Sequence, residues 1–214
     1  MLASEHLWSF HIWTTFYETV IGFALAVVSG CILGFFIGRF RLVEVVAGPF
    51  IVATQVIPKV ALVPLFIVWF GFGPSSKIAV AATLALFPIV SNVAFGVQSV
   101  QGPMHELMDV LRASRWQRAR KLDIPHTLPY LLTGAEVAIV LATIGAIVGE
   151  YLAGDRGLGR LAITLQNGLQ IPELYAAIVI MTVFGFVLYA LVRATRKVLI
   201  PWHQSGGVLP DQQT

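Results

Sequence analysis

Five apolar runs, each close to 20 residues long, divide the chain at about 13–38, 49–70, 78–100, 130–152 and 174–192. Polar or Gly/Pro-containing breaks separate them. An α-helix rises 1.5 Å per residue, so roughly 20 apolar residues cover the ~30 Å hydrocarbon core of a bilayer. The pattern predicts five membrane-spanning helices, spans A to E, in an all-α polytopic protein. Lys59 interrupts span B and Glu136 interrupts span D. One polar interval, residues 106–125 (ELMDVLRASRWQRARKLDIP), lies between spans C and D and carries Arg112, Arg115, Arg118, Arg120 and Lys121. A helix-sized polar block flanked by spans must sit in water at one face of the membrane. The expected organisation is a single transmembrane domain over 1–203, with a water-exposed loop at about 101–128 and a flexible Gly- and Gln-containing tail over 204–214.

Composition agrees with this class. Of the 214 residues 57% are hydrophobic and 12% charged, against about 25% charged in an ordinary soluble domain. A soluble fold of this size has too little interior for so much apolar surface. The net charge of +3 is no nucleic-acid signature, because the positive residues cluster beside the spans. Cys31 is the single cysteine. It can form neither an internal disulfide nor a multi-cysteine metal site and reads as a buried small hydrophobe. No cleavable signal peptide is visible, since the first dozen residues hold Glu5, His6 and His11 and lack a basic start.

Basic residues also set an orientation. Arg39 and Arg41, the five between spans C and D, and Arg193, Arg196 and Lys197 place ten on one side, whereas Lys77, Arg156 and Arg160 place three on the other. The ten-residue side is the cytoplasm by the positive-inside rule. Five spans then leave the N-terminus outside. Either span A inserts with its N-terminus outward or a further span precedes it.

Span A has a small residue at every fourth position: Gly22, Ala26, Gly30, Gly34 and Gly38. Steps of four drift only about 40° around a helix, so these positions form one shallow groove where a neighbouring backbone can approach closely. Helix packing is the preferred reading, and Gly145 and Gly149 in span D repeat it more weakly. Span B carries Pro58 and Pro64 with Lys59 between them. Proline frees backbone carbonyls, which predicts a kink or break beside a cavity. Lys59 either lines a pathway or snorkels to the headgroups, and the two readings weigh equally. Glu150 reads as an interfacial residue near the outer surface. Glu136 is placed to pair with a nearby Arg or Lys, but the sequence names no partner.

Several chemical matches fail. GFGPSSK (71–77) has the wrong spacing for a phosphate-binding loop, and GDRGLG (154–159) is an external turn with no preceding strand. The five histidines show no metal-ligand spacing. No nucleophile–base or paired-carboxylate arrangement supports catalysis, and no ionisable groups pair visibly at mid-membrane. In the interval between spans C and D, Pro103 can start a helix with Glu106 in its first turn. Leu107, Met108 and Leu111 then share a face, with Arg115 and Arg118 on the following turn. A short amphipathic helix, a bend and a second helix ending at Pro125 follow. A helix lying on anionic headgroups is the plainer alternative.

At this point the sequence resembles a family. The permease subunits of bacterial ABC importers carry a cytoplasmic motif of Glu-Ala-Ala, three residues, Gly, nine residues, then Ile-x-Leu-Pro. This chain reads Glu106-Leu107-Met108, three residues, Arg112, nine residues, then Leu122-Asp123-Ile124-Pro125. Both alanines are replaced, and Arg112 stands where glycine normally permits the bend. Residues 57–78 and the segments ASRWQ (113–117), LPYLLTG (128–134), GLG (157–159) and PWH (201–203) are similar to permeases of the sulfonate, taurine and nitrate type. Members usually have six spans, and the one missing here would precede span A.

The resemblance implies a homodimeric pore in the bacterial inner membrane, two cytoplasmic ATPase subunits docked below it, and an extracytoplasmic binding protein. Glu106, Leu107, Met108, Leu111, Arg112, Ala113, Arg115, Leu122, Ile124 and Pro125 would form the ATPase-coupling element, and Pro58, Lys59 and Pro64 would line the pathway. ATP and Mg would be bound by the partner, with no cofactor or metal in this chain. The solutes implied are small anions such as sulfonates and nitrate, or pyrimidine-type vitamin precursors, toward which Arg112 leans. The competing function is a stand-alone secondary transporter or channel, which predicts internal repeats and paired ionisable groups at mid-membrane.

Overall fold

The computed structural model describes residues 2–100 and 102–200, with side chains for all of these except 2–7, 50–52, 54 and 55. The tail and the PWH segment lie outside the described residues. All regular structure among the described residues is helical. In chain order the α-helices are α1 (Leu2–Arg39), α2 (Arg41–Val56), α3 (Val63–Phe70), α4 (Pro74–Gln98), α5 (Gly102–Val110), α6 (Arg115–Arg118), α7 (Ile124–Ala153), α8 (Leu158–Asn167) and α9 (Ile171–Leu199). A 3-10 turn (Lys59–Leu62) precedes α3, and a π turn (Ala119–Asp123) joins α6 to α7.

Among the described residues four stretches are long and apolar enough to cross a membrane: Trp8–Arg39, Pro74–Gln98, Arg115–Ala153 and Ile171–Leu199. Span B is not a fifth such helix. After α2, Ile57 and Pro58 are extended, with ψ of 125° and 93°. Pro58 has no N–H to continue the ladder and drives Ile57 out of the helical region. Pro64 falls in the first turn of α3, where a missing N–H costs little. The two prolines therefore divide span B into separate pieces.

Close backbone approach holds the long helices together. A Cβ built on Gly22 would meet the Ala81 Cβ at 2.6 Å, one on Gly30 the Ile89 Cγ2 at 2.6 Å, one on Gly34 the Val90 carbonyl at 2.8 Å, and one on Gly38 the Ala94 carbonyl at 2.7 Å. The partners advance in step, so α1 and α4 run parallel. Against α7 the order reverses: Gly134 approaches Pro88, Gly145 approaches Ala81 and Gly149 approaches Lys77, making α7 antiparallel to α4. Ala26, Ala81, Ala85, Ala138, Ala142 and Ala146 are fully buried between these three helices. Small side chains suit a bundle in lipid, where packing rather than water exclusion joins helices. Cys31 packs at the edge of this core and is only half-buried. α9 lies peripherally, tied to α7 where the Arg196 guanidinium donates to Glu136 Oε1 at 3.1 Å.

Candidate functional site

At the basic end of the bundle, α5 and α6 form an exposed elbow. α5 begins at Gly102, one residue earlier than expected, so Glu106 is its fifth residue and lies beyond the first turn. Its charge is therefore too far along to cap the helix. α5 ends in left-handed backbone at Arg112, with φ of 49°. There the Arg112 N–H donates to the Asp109 carbonyl and the Ala113 N–H to the Met108 carbonyl, both at 2.9 Å. This closes the helix as glycine usually does. Ser114 then starts α6 with a reciprocal capping box: its Oγ accepts from the Gln117 N–H at 3.2 Å, and Gln117 Oε1 accepts from the Ser114 N–H at 2.8 Å.

Arg118 reaches back across the elbow to the Asp109 carboxylate. The second helix does not end at Pro125. It widens into the π turn and continues as α7, because Pro125 cannot donate into the i→i−4 ladder and the wider turn absorbs the fault. Leu122 is buried and anchors the element, whereas Ile124 is exposed. Met104, Leu107 and Leu111 are 48%, 55% and 65% exposed. Their i, i+3, i+7 spacing gives an apolar stripe, and Met108 is half-buried beside it.

A second feature is the break in span B. It opens a cavity of about 300 Å³ among α1, α2, the 3-10 turn and α4. Lys59 lies on its wall with its ammonium 5.4 Å from the centre of the Phe87 ring. Pro58 and Pro64 shape the backbone but do not line this cavity.

The far end holds a buried polar cluster. Glu18, Lys77 and Glu150 are 1%, 2% and 0% exposed. Glu150 is thus enclosed within the protein at that end, not turned to solvent or headgroups. Its Oε1 accepts from the Thr15 hydroxyl at 2.7 Å and its Oε2 from the Gly159 N–H at 2.8 Å. Thr15 Oγ1 accepts from the Leu158 N–H, and His11 Nδ1 from the Gly157 N–H, both at 2.9 Å. Three side chains thereby cap the start of α8, whose free N–H groups favour a negative partner. A Cβ on Gly157, at φ of 101°, would lie 2.1 Å from the Glu150 carboxyl, so only glycine fits this turn. Lys77 Nζ lies 3.7 Å from Glu18 Oε1 and 3.5 Å from Asp155 Oδ1. Slight burial would raise the Asp155 carboxyl, but a backbone hydrogen bond and the Lys77 and Arg156 charges carry it below the ordinary value.

Sequence reasoning missed this cluster. Lys77 reads as an external loop residue, and no spacing rule joins Glu18 to it. The grouping lies at the end of the bundle, not its middle. Among the described residues no group of three or more His, Cys, Asp or Glu side chains could hold a metal ion.

A membrane bundle with a broken span and an exposed helical elbow at its basic end is the architecture of a transport permease. Residues 26–202 match the family described as "Binding-protein-dependent transport system inner membrane component", and the chain belongs to that family. It is 36% identical over 201 residues to the formylaminopyrimidine transport permease ThiX of Halalkalibacterium halodurans, covering 94% of this chain and 80% of the relative. Identity is also 36% over 205 residues with the riboflavin transport permease RibX of Chloroflexus aurantiacus, covering 95% and 76%. The taurine transport permease TauC of Escherichia coli is 28% identical over 197 residues, covering 92% and 71%.

In fold the chain resembles an inward-facing structure of the MetNI methionine ABC transporter, with a TM-score of 0.71 at 18% identity over 88% of this chain and 94% of that one. The protein is thus an inner-membrane permease component of a binding-protein-dependent ABC importer for small solutes. ATP hydrolysis belongs to a separate ATPase subunit, and solute delivery to a binding protein.

Proposed function

We propose that the chain carries a pyrimidine-type or flavin-type vitamin or precursor, using the α5–α6 elbow as its ATPase-docking element. Greater identity to ThiX and RibX than to the taurine permease supports this solute class. The observation that carries the docking role is the exposed stripe of Met104, Leu107 and Leu111 on an elbow fixed by the Arg112 turn and the Asp109–Arg118 pair. An apolar ridge ringed by charge suits a groove on a soluble partner: the ridge supplies contact area and the charges fix orientation. Membrane headgroups would need no such fixed bend.

Two copies of the permease form the pathway, with span B as a broken fifth crossing in each. The sparse burial of α9, 11% over its most apolar stretch, leaves surface for lipid and for a second copy. The basic end faces the cytoplasm. ATPase closure then rocks the bundle between inward- and outward-open states.

Co-purification with the ATPase followed by ATP hydrolysis in lipid provides the test. Hydrolysis should rise when the binding protein is loaded with formylaminopyrimidine or riboflavin. Stimulation by taurine alone would overturn the solute class, and an ATPase that associates equally well with Leu107→Asp/Leu111→Asp would overturn the docking assignment.

A further inference from the structure

The cavity at the break in span B has an unusual composition for mid-bundle. Leu33, Ile37, Ile57, Leu62 and Leu86 give it aliphatic walls, Phe87 supplies a ring and Lys59 an ammonium. Its other polar side chain among those described, Thr83, already donates its hydroxyl to the Ala79 carbonyl at 2.7 Å. Phe87 lies midway along α4 (Pro74–Gln98), and the Lys59 ammonium stays beside it, at 5.4 Å from the ring centre. Lys59 therefore does not snorkel to either end of the bundle. It forms no ion pair among the described residues. A lysine held at that depth against an aromatic face has donors to spare and only a weak partner.

We propose that this cavity is a station on the solute pathway that holds an uncharged, planar nitrogen heterocycle. Lys59 donates hydrogen bonds to a ring nitrogen or exocyclic carbonyl, Phe87 stacks on the ring face, and the aliphatic residues flank the edge of a half-open cleft. This deepens the solute reading above and rests on it. A volume of about 300 Å³ is at the lower bound for small-molecule pockets, about 300–1,000 Å³, and suits one or two fused rings, the pyrimidine-type and not the flavin-type solute of that reading.

An oxyanion is a poorer match. A sulfonate or nitrate presents three oxygens that must exchange water for several donors, and here one ammonium faces an otherwise apolar wall. A heterocycle needs only one or two donors and gains from the walls. A lipid acyl chain would leave the ammonium unanswered, and lipid phosphates lie at the bundle ends. Binding through a single ammonium and one ring is weak, as release to the far side requires.

The test uses the full complex of permease, ATPase and binding protein in proteoliposomes, with radiolabelled formylaminopyrimidine and taurine as probes. Lys59→Met and Phe87→Leu should each lower formylaminopyrimidine uptake about ten-fold or more, while Lys59→Arg stays within about three-fold of the parent. Co-purification of the ATPase controls for folding. Independently, Lys59→Cys in a Cys31→Ser background should react with a water-soluble thiol reagent, and formylaminopyrimidine should slow that reaction.

Parental uptake by Lys59→Met, or a Lys59→Cys thiol unreactive in every nucleotide state, would overturn the station and leave the permease reading intact. Uptake of taurine in place of formylaminopyrimidine, with taurine protecting the thiol, would overturn the heterocycle assignment instead.

Discussion

Thr15 and Glu150, 135 residues apart in the chain, share a buried hydrogen bond of 2.7 Å at the far end of the bundle. Through it the first long helix, the end of α7 and the start of α8 become one polar unit. Glu150→Gln tests that unit with little change of shape. Both Glu150 oxygens accept, one from Thr15 and one from Gly159, so an amide must turn its donor toward one of them. Turned toward Thr15, it replaces a charge-assisted bond by a weaker neutral one, because the Thr15 hydroxyl must then donate to the His11 carbonyl at 3.2 Å; the loss is about 1 kcal/mol. Thermal unfolding in detergent should occur at lower temperature, and proteolysis in the 154–159 turn should accelerate.

Lys77→Met should be more damaging. It leaves Glu18, whose oxygens accept no hydrogen bond among the described residues, without the ammonium 3.7 Å away. Removing one member of a buried pair costs about 3–5 kcal/mol. Lys77→Met/Glu18→Leu together should recover most of the loss, because the pair is then replaced by apolar groups. A double variant no more stable than Lys77→Met alone would refute a coupling between these residues.

At the opposite end, Arg112→Gly should preserve or tighten the elbow. The left-handed conformation strains a residue with a side chain by about 1–2 kcal/mol, and glycine's greater freedom when unfolded returns about 0.5–1 of that. Arg112→Val should weaken ATPase co-purification, since a β-branched residue resists φ of 49°. Equal association of both variants would mean that the bend does not control docking.

The Asp109–Arg118 tie predicts a charge-swap result. Asp109→Arg or Arg118→Asp alone should loosen the elbow and reduce ATPase association, and the double swap should restore part of it. The pair is partly exposed and contributes about 0–1 kcal/mol at most to stability. The readout is therefore association, not unfolding. Glu106→Lys belongs to the same set: beyond the first turn it has little dipole effect, so any loss of transport must come through the partner. Parental transport by that variant would remove Glu106 from the docking surface.

Much of this architecture was legible in the sequence. Apolar runs located four of the long helices, the fourfold spacing from Gly22 to Gly38 marked the face that meets α4, and Pro58 and Pro64 marked a break. Periodicity reports one element at a time, however. It has no access to Glu18 meeting Lys77, to Glu136 meeting Arg196, or to Asp109 meeting Arg118, because helix packing and a turn decide those distances. Glu150 was misread for the same reason. A carboxylate near a span end is ordinarily solvated, and only the folded 154–159 turn encloses it. Arg112 was visible as a departure from glycine, but its backbone angle was not.

The Glu18–Lys77 pair also constrains biogenesis. During synthesis α1 leaves the ribosome carrying Glu18 well before Lys77 has been made. A helix held by the insertion machinery at that stage presents a carboxylate that lipid does not welcome, so α1 is a reluctant membrane resident until α4 arrives alongside it. The parallel seam between the two helices can then close with its charge answered.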